Sequence, residues 1–245
     1  MKEVLVAFIL LFVCYGVFES ALLGYRLHRG MRIAEQSEPF ESKFPNASKR
    51  ILVVGDSTGV GTGADHPGDS IAGRIFSEYD DVEIVNLAKN GAKAEDVLGQ
   101  LKTVYDKNFL IVLVQIGGND ILRFTDLEKL RRIINDVLAL SVKKGRHVIF
   151  MSTGNVGLAP AFFPPISWIY TYRTRSVRPI FMRAASIAGA EYVDLFKEKG
   201  DDPFLKNPDK FYAADYLHPG SHGYGLWFEE LKKQTSFTEI LAEEK

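Results

Sequence analysis

Cysteine is almost absent from this sequence of 245 residues, because the one thiol, Cys14, lies in an apolar run near the N-terminus. A single cysteine excludes an intrachain disulfide, so the chain is not one of the small domains held together by such bridges. Histidine is also scarce, with five copies. Together these shortages exclude zinc-finger and other Cys/His-rich metal frameworks.

The sequence also has no excess of positive charge, because its 30 lysines and arginines are balanced by 31 aspartates and glutamates. Proteins that bind the phosphate backbone of nucleic acid usually carry a basic excess, so nucleic acid is not an expected partner. The sequence has no internal repeats or low-complexity tracts. With 46% hydrophobic residues, the chain beyond its N-terminal run can form one domain of ordinary size with a core.

Residues 4–18 form an apolar run without a charged side chain. As a helix the run spans about 22 Å, and its extension through Tyr25 spans about 33 Å, enough for a hydrocarbon core of about 30 Å. A cleaved signal peptide is the alternative, but no Ala-x-Ala site follows, and leucines at 22 and 23 continue the apolar character. We therefore predict that residues 1–29 form a membrane helix.

The rest of the chain, residues 50–245, alternates short apolar runs with amphipathic stretches, after a polar linker predicted at residues 30–49. Most of the apolar runs are continuous and rich in valine and isoleucine, as in parallel strands that are buried on both faces. The predicted strands are 51–55, 82–86, 109–117, 147–153 and 191–194, and the predicted helices are 70–79, 94–105, 126–144, 174–189 and 221–233. This alternation predicts an α/β domain with helices on both faces of a parallel sheet, in which functional residues collect at the carboxyl ends of the strands.

A serine follows the first predicted strand, in the run GDSTG at residues 55–59. At a strand-to-helix turn the Ser57 hydroxyl would point into the crevice, and its amide would lie at a helix start, where negative charge is favoured. The other interpretation is that Ser57 is an ordinary helix cap. The glycines at 59, 61 and 63 have neither the dinucleotide-binding spacing nor a following P-loop lysine, so nucleotide binding is not expected.

Two further turns supply hydrogen-bond donors. Gly91 follows the second predicted strand, where a glycine lets a backbone N–H approach a ligand closely. Asn119 follows the third strand in the run GGND at 117–120, and it places a neutral donor at the crevice. A donor aimed at a developing oxyanion contributes about 3 kcal/mol to catalysis. Taken alone, each residue is also explained as a turn glycine or a helix cap.

Asp215 and His218 precede the last predicted helix, in the run DYLHP at 215–219. A catalytic imidazole must be held in one tautomer and orientation, and a nearby carboxylate that bonds one ring nitrogen does this. A solvated aspartate and a capping histidine are the alternative. Catalysis is favoured because all four motifs occur in order at strand ends and at the start of the final helix.

In this combination the motifs resemble those of the SGNH hydrolase superfamily, the GDSL-like lipases and esterases, whose blocks centre on Ser, Gly, Asn and His. Ser57, Gly91, Asn119 and His218 match these four blocks, and the resemblance covers roughly residues 50–233. Thr58 stands where the name-giving pattern has leucine, which weakens an inference to a typical lipase.

The resemblance implies a flavodoxin-like three-layer α/β/α sandwich with a five-stranded parallel sheet. It implies that Ser57 is the nucleophile, His218 the general base and Asp215 its orienting acid. The oxyanion would be held by the Ser57 and Gly91 amides and the Asn119 side chain. Such an enzyme cleaves carboxylic esters through an acyl-enzyme and needs no metal or cofactor.

The substrate is suggested by an aromatic, proline-rich stretch at residues 155–172. As a loop at the edge of the site it would use Phe162, Phe163 and Trp168 to line an acyl-chain pocket or a membrane-facing lid. The alternative is that these aromatic residues pack over the sheet. Two rival functions stay open: deacetylation or acyl transfer on an envelope carbohydrate, and a non-catalytic membrane-attached binding protein on the same fold.

Two observations on membrane orientation disagree. Arg26, Arg29 and Arg32 follow the apolar run while Lys2 precedes it, and the positive-inside rule would leave the domain in the cytoplasm. Secreted members of the resembled family favour the extracytoplasmic side of a cell envelope. We therefore expect a membrane-anchored protein of the envelope, with the cytoplasmic side still open.

Overall fold

The computed structural model describes residues 1–44, 47–105 and 108–243. Pro45 and Asn46 of the predicted linker therefore lie outside the described residues.

The described residues include one sheet of five parallel strands. The strands are β1 (Lys49–Gly55), β2 (Val82–Asn86), β3 (Phe109–Gln115), β4 (Gly145–Met151) and β5 (Glu191–Val193). Their order in the sheet is β2-β1-β3-β4-β5, and every neighbouring pair is parallel. The chain moves to one side of β1 to make β2 and to the other side to make β3. A crevice at the carboxyl ends of β1 and β3 is therefore the expected place for a ligand.

Helices occupy both faces of this sheet. In chain order they are α1 (Lys2–Gln36), α2 (Ser57–Val60), α3 (Ile71–Glu78), α4 (Ala94–Thr103), α5 (Gly118–Leu122), α6 (Leu127–Val142), α7 (Ile166–Ala188), α8 (Pro208–Phe211), α9 (Ser221–Gln234) and α10 (Phe237–Glu243). Buried side chains of α4, α6 and α7 pack on one face, and those of α3, α9 and α10 pack on the other. The predicted three-layer α/β/α architecture is confirmed.

Alternation of side chains along the strands creates the two cores. In β1, Leu52 and Val54 point into one core, while Ile51 and Val53 point into the other. All seven residues of the central strand β3 are buried. Because both faces of these strands are covered, the apolar runs in the sequence are continuous rather than alternating.

The first helix, α1, has two different halves. Every side chain from Lys2 to Phe18 is exposed. From Glu19 onward, partly buried positions recur every three or four residues, which is the spacing of one helix face. Among the described residues, α1 is the one helix that is long and apolar enough to cross a membrane or to serve as a signal sequence.

The structure departs from the expected elements in several places. The helix α1 continues to Gln36, although a linker was expected from residue 30, because Ile33 and Ala34 belong to its packed face. The expected loop at 155–172 is helical from Ile166, where α7 begins. Its first turns are rich in aromatic residues of modest helix propensity, but packing of Ile166 and Tyr170 against the core compensates. The helix α10 was not predicted.

We expect the central strand to tolerate no loss of volume. Ile111→Ala in β3 removes a side chain with no exposed surface, and it should lower the free energy of unfolding by about 2–5 kcal/mol through lost burial and a cavity. Ile187→Ala, on the exposed face of α7, is the matched control and should change it by less than about 0.5 kcal/mol. Urea denaturation of the full chain in detergent measures both. Equal effects would contradict the core described here.

Candidate active site

The turn after β1 fixes the position of Ser57. Gly55 ends the strand with φ of 157°, and a Cβ at this position would lie 1.9 Å from the carbonyl oxygen of Gln115. Glycine is therefore required here, because β1 and β3 are still paired at Gly55 and Gln115 and leave no room for a side chain. The buried Gln100 side chain accepts from the Gly55 N–H and donates to the Gly55 carbonyl oxygen, both at 2.9 Å. These bonds hold the backbone that carries the serine.

Asp56 supplies the N-cap for the short helix that begins at Ser57. Its carboxylate accepts hydrogen bonds from the Thr58 backbone N–H at 2.9 Å and from the Thr58 hydroxyl at 2.8 Å. Burial raises the pKa of Asp56 above its ordinary value, although these two bonds act in the opposite direction. Ser57 itself is 8% exposed, so its hydroxyl lies in a sheltered crevice rather than at a surface.

Asp215 and His218 lie on one side of a tight turn that leads into α9. Tyr216 has φ of 56° in this turn, a left-handed conformation that is unusual for a non-glycine residue. The Asp215 Oδ1 atom accepts from the backbone N–H groups of Leu217 and His218, both at 3.0 Å. The Asp215 Oδ2 atom lies 2.6 Å from His218 Nδ1. The carboxylate thus organises its own turn and the imidazole ring together.

The other nitrogen of the same imidazole reaches the serine. His218 Nε2 lies 3.0 Å from Ser57 Oγ, across 161 positions of sequence. Asp215 is 1% exposed; burial raises its pKa, but the hydrogen bonds from His218 and the turn outweigh that effect, and the pKa lies below its ordinary value. An ionised carboxylate only accepts, so it selects the tautomer with the proton on Nδ1 and leaves the Nε2 lone pair facing the serine hydroxyl.

The two expected oxyanion donors line the same cavity as Ser57. Gly91 has φ of 75° in the turn after β2, which exposes its backbone N–H where a side chain would strain the turn. Asn119 lies in the first turn of α5, directly after β3. The next residue, Asp120, holds this region by accepting from the Ala94 N–H at 2.9 Å and the Thr125 hydroxyl at 2.8 Å.

A cavity of about 560 Å³ adjoins Ser57, Asp215 and His218. Its apolar part is lined by Leu23, Leu27, Met31, Leu122, Phe162 and Tyr170. Its polar part is lined by Asn155, Lys197, Asp202, Glu229 and Glu230. Ser57 therefore lies beside space that suits an apolar chain and a polar group.

The three aromatic residues expected at the substrate site lie in different places. Phe162 is in the cavity wall. Phe163 lies outside the lining, with the Arg26 guanidinium 4.9 Å from its ring centre. Trp168 is 67% exposed on the first turns of α7 and also lies outside the lining.

Sequence reasoning missed the contribution of α1 to this cavity. Leu23, Leu27 and Met31 recur at intervals of four, which places them along one stripe of a helix. The signal was present, but the stripe is the continuation of an apolar run, and apolar residues in a membrane segment are explained without any partner. Arg123, which follows α5 and also lines the cavity, had no distinguishing signal.

Three solved structures illustrate the likeness of the fold. A G-D-S-L lipolytic protein from Veillonella parvula is 18% identical, with a TM-score of 0.56, and the match covers 76% of this chain and 97% of that chain. The acetylxylan esterase Axe2 from Geobacillus stearothermophilus is 16% identical, with a TM-score of 0.54 and coverage of 76% and 93%. An extracellular lipase from Streptomyces rimosus is 15% identical, with a TM-score of 0.56 and coverage of 76% and 100%.

At such low identities these structures establish a shared fold and leave the substrate open. A comparison with curated proteins gives no significant match. The sequence model of the GDSL-like lipase/acylhydrolase family matches residues 53–226, a stretch that runs from β1 into α9 and contains the serine, glycine, asparagine and histidine motifs. Since this match covers well over half of the chain, the protein belongs to the GDSL-like lipase/acylhydrolase family.

Proposed function

We propose that this protein is a serine esterase that cleaves carboxylic esters through an acyl-enzyme on Ser57. The observation that carries the proposal is the continuous hydrogen-bonded chain from the Asp215 carboxylate through His218 to the Ser57 hydroxyl. An ordinary capping serine or a solvated Asp–His pair does not need this arrangement. The complete triad favours an enzyme over a binding protein on the same fold.

The reaction follows from the positions of these groups. Ser57 Oγ attacks the ester carbonyl carbon while His218 Nε2 takes the hydroxyl proton. The Ser57 and Gly91 N–H groups and the Asn119 side chain stabilise the negative charge on the carbonyl oxygen. The alcohol leaves with the proton from His218. Water then attacks the acyl-enzyme, His218 takes a proton from it and returns that proton to Ser57, and the carboxylic acid leaves.

The proposed substrate is an acyl ester rather than an acetylated carbohydrate. Aliphatic and aromatic side chains form much of the cavity wall, and such a surface favours a hydrocarbon chain because burial of apolar area is favourable. A sugar would rely instead on the polar residues of the same lining. We give the larger weight to the apolar wall.

We also propose that α1 anchors the enzyme to a membrane. The half of α1 from Lys2 to Phe18 is exposed on every side, which is unfavourable in water for so apolar a surface. The Tyr15 hydroxyl donates to the Pro164 carbonyl oxygen at 3.0 Å. Trp168 and Tyr172 are exposed a short distance along the chain, and aromatic side chains of this kind are typical of the membrane–water boundary.

Replacement of the nucleophile gives the most direct test. Ser57→Ala should abolish labelling by a fluorophosphonate probe and lower kcat/KM for p-nitrophenyl esters by about 10⁴-fold or more, since no other group can form the acyl-enzyme. Ser176→Ala is the matched control, because that hydroxyl bonds the Tyr172 carbonyl oxygen on α7. A labelled, active Ser57→Ala protein would refute the proposal.

The proposed role of Asp215 can be tested by its effect on kcat. Asp215→Asn should lower kcat by about 10³- to 10⁴-fold, because an amide does not hold His218 in the required tautomer. Since the pKa of Asp215 lies below its ordinary value, Asp215 stays ionised from about pH 6 to about pH 9, and titration of this carboxylate should contribute nothing to the pH dependence of the wild-type rate in this range. The exposed Asp136→Asn is the control. A kcat for Asp215→Asn within about ten-fold of the wild-type value would contradict the assigned role.

Removal of the side-chain donor should affect the chemical step more than binding. Asn119→Ala should lower kcat by about 10²- to 10³-fold with little change in KM, because the donor acts on charge that develops in the transition state. Asn119→Asp keeps the shape and removes the donor, so it should be at least as impaired. Steady-state kinetics with p-nitrophenyl butyrate measures both. An unchanged kcat would remove Asn119 from the oxyanion hole.

A further inference from the structure

The second half of α1 packs across the mouth of the catalytic cavity. Its partly buried face consists of Glu19, Leu22, Leu23, Arg26, Gly30, Ile33 and Ala34. These positions recur every three or four residues, so α1 contacts the rest of the domain along a whole helix face and not at a single point. A helix that served only as a tether would not need such a face.

Polar contacts hold α1 against the domain at two positions, Arg26 and Ala34. The Arg26 guanidinium donates to the Pro160 carbonyl oxygen and lies over the ring of Tyr216, 5.4 Å from its centre. Tyr216 belongs to the turn that joins the catalytic acid and base. Further along, the Asn90 side chain donates to the Ala34 carbonyl oxygen at 2.8 Å. The helix is therefore held against both rims of the cavity.

The α1 backbone also approaches the proposed catalytic acid. A Cβ built at Gly30 would lie 3.0 Å from Asp215 Oδ2, the atom that accepts from His218. The α1 backbone thus lies against the Asp215 side chain, and this contact contributes to the burial of Asp215. The helix belongs to the site as closely as the loops that carry the triad.

The remaining contact surface of α1 is apolar and faces the cavity. Leu23, Leu27 and Met31 form a stripe along the helix and share the lining with Phe162 and Tyr170. Leu27 is 48% exposed and Met31 is 59% exposed although both line the cavity. The cavity is therefore open beside α1, and its apolar wall continues into the half of the helix proposed to lie in the membrane.

We infer that Leu23, Leu27 and Met31 are specificity-determining residues that hold the acyl chain of an ester resident in the bilayer, which enters the cavity along α1. This inference rests on the proposed esterase function and names its substrate class. The chain would lie between the α1 stripe and Phe162, with its carbonyl carbon at Ser57. Each methylene buried there is expected to raise kcat/KM about four-fold until the groove is full.

The test compares Leu27→Trp with Leu10→Trp in the full chain, in detergent, on p-nitrophenyl esters from acetyl to palmitoyl. The added indole should fill the groove, so that kcat/KM for dodecanoyl and longer esters falls at least ten-fold relative to kcat/KM for the acetyl ester. Leu10, in the fully exposed half, should give the wild-type profile. Met31→Trp provides a second probe of the same wall if Leu27→Trp does not fold.

The outcomes separate this inference from the function on which it depends. If wild-type protein hydrolyses no ester and Ser57 is not labelled by the fluorophosphonate, the esterase proposal fails. If acetyl ester turnover is normal but both tryptophan variants of the cavity stripe keep the wild-type chain-length profile, the role of α1 is overturned and the esterase stands. An equal loss at every chain length also overturns it, because a specificity wall acts selectively.

Entry from the bilayer has a separate readout. With the full chain reconstituted in phosphatidylcholine vesicles that contain a palmitoyl ester, the rate should follow the mole fraction of ester in the bilayer when its bulk concentration is held constant. A rate that follows bulk concentration instead would show that the ester arrives from water, and would overturn loading along α1.

Discussion

A buried carboxylate is stable next to an imidazole only if enough N–H groups meet its charge. Asp215 satisfies this requirement with three donors, two from its own turn and one from the ring of His218. The rest of the candidate site depends on this arrangement. It sets the tautomer of the imidazole. The turn at the end of β1 then places the Ser57 hydroxyl next to His218 Nε2, although the two residues are 161 positions apart in sequence. Without the turn, Ser57 would be only the first residue of the short helix α2.

The sheet and the reactive residues were predictable from sequence for the same physical reason. Parallel strands covered on both faces leave continuous apolar runs, and β1 and β3 show these runs clearly. Once the strands are placed, the polar residues that follow them must meet at one edge. The sequence alone therefore predicts one crevice for Ser57, Gly91 and Asn119. In the structure all three line one cavity.

What could not be predicted depends on contacts between distant parts of the chain. The first turns of α7 are poor helix formers by composition, and they are helical because Ile166 and Tyr170 find a core to pack against. The stripe of Leu23, Leu27 and Met31 has an unambiguous period, but a period does not say whether the facing partner is lipid, another helix or a cavity. Of the aromatic residues expected at the substrate site, Phe162 lies in the cavity wall, whereas Trp168 is exposed outside it.

The close approach of Gly30 to Asp215 has a practical consequence for preparing this protein. Apolar N-terminal helices are commonly removed to obtain a soluble fragment, on the view that they are handles without effect on the chemistry. Here such a truncation would uncover Asp215 and delete one side of the cavity beside Ser57. If the proposed function holds, a soluble fragment that begins near β1 would be a different catalyst, and its preference among esters would describe the shortened chain rather than the full one.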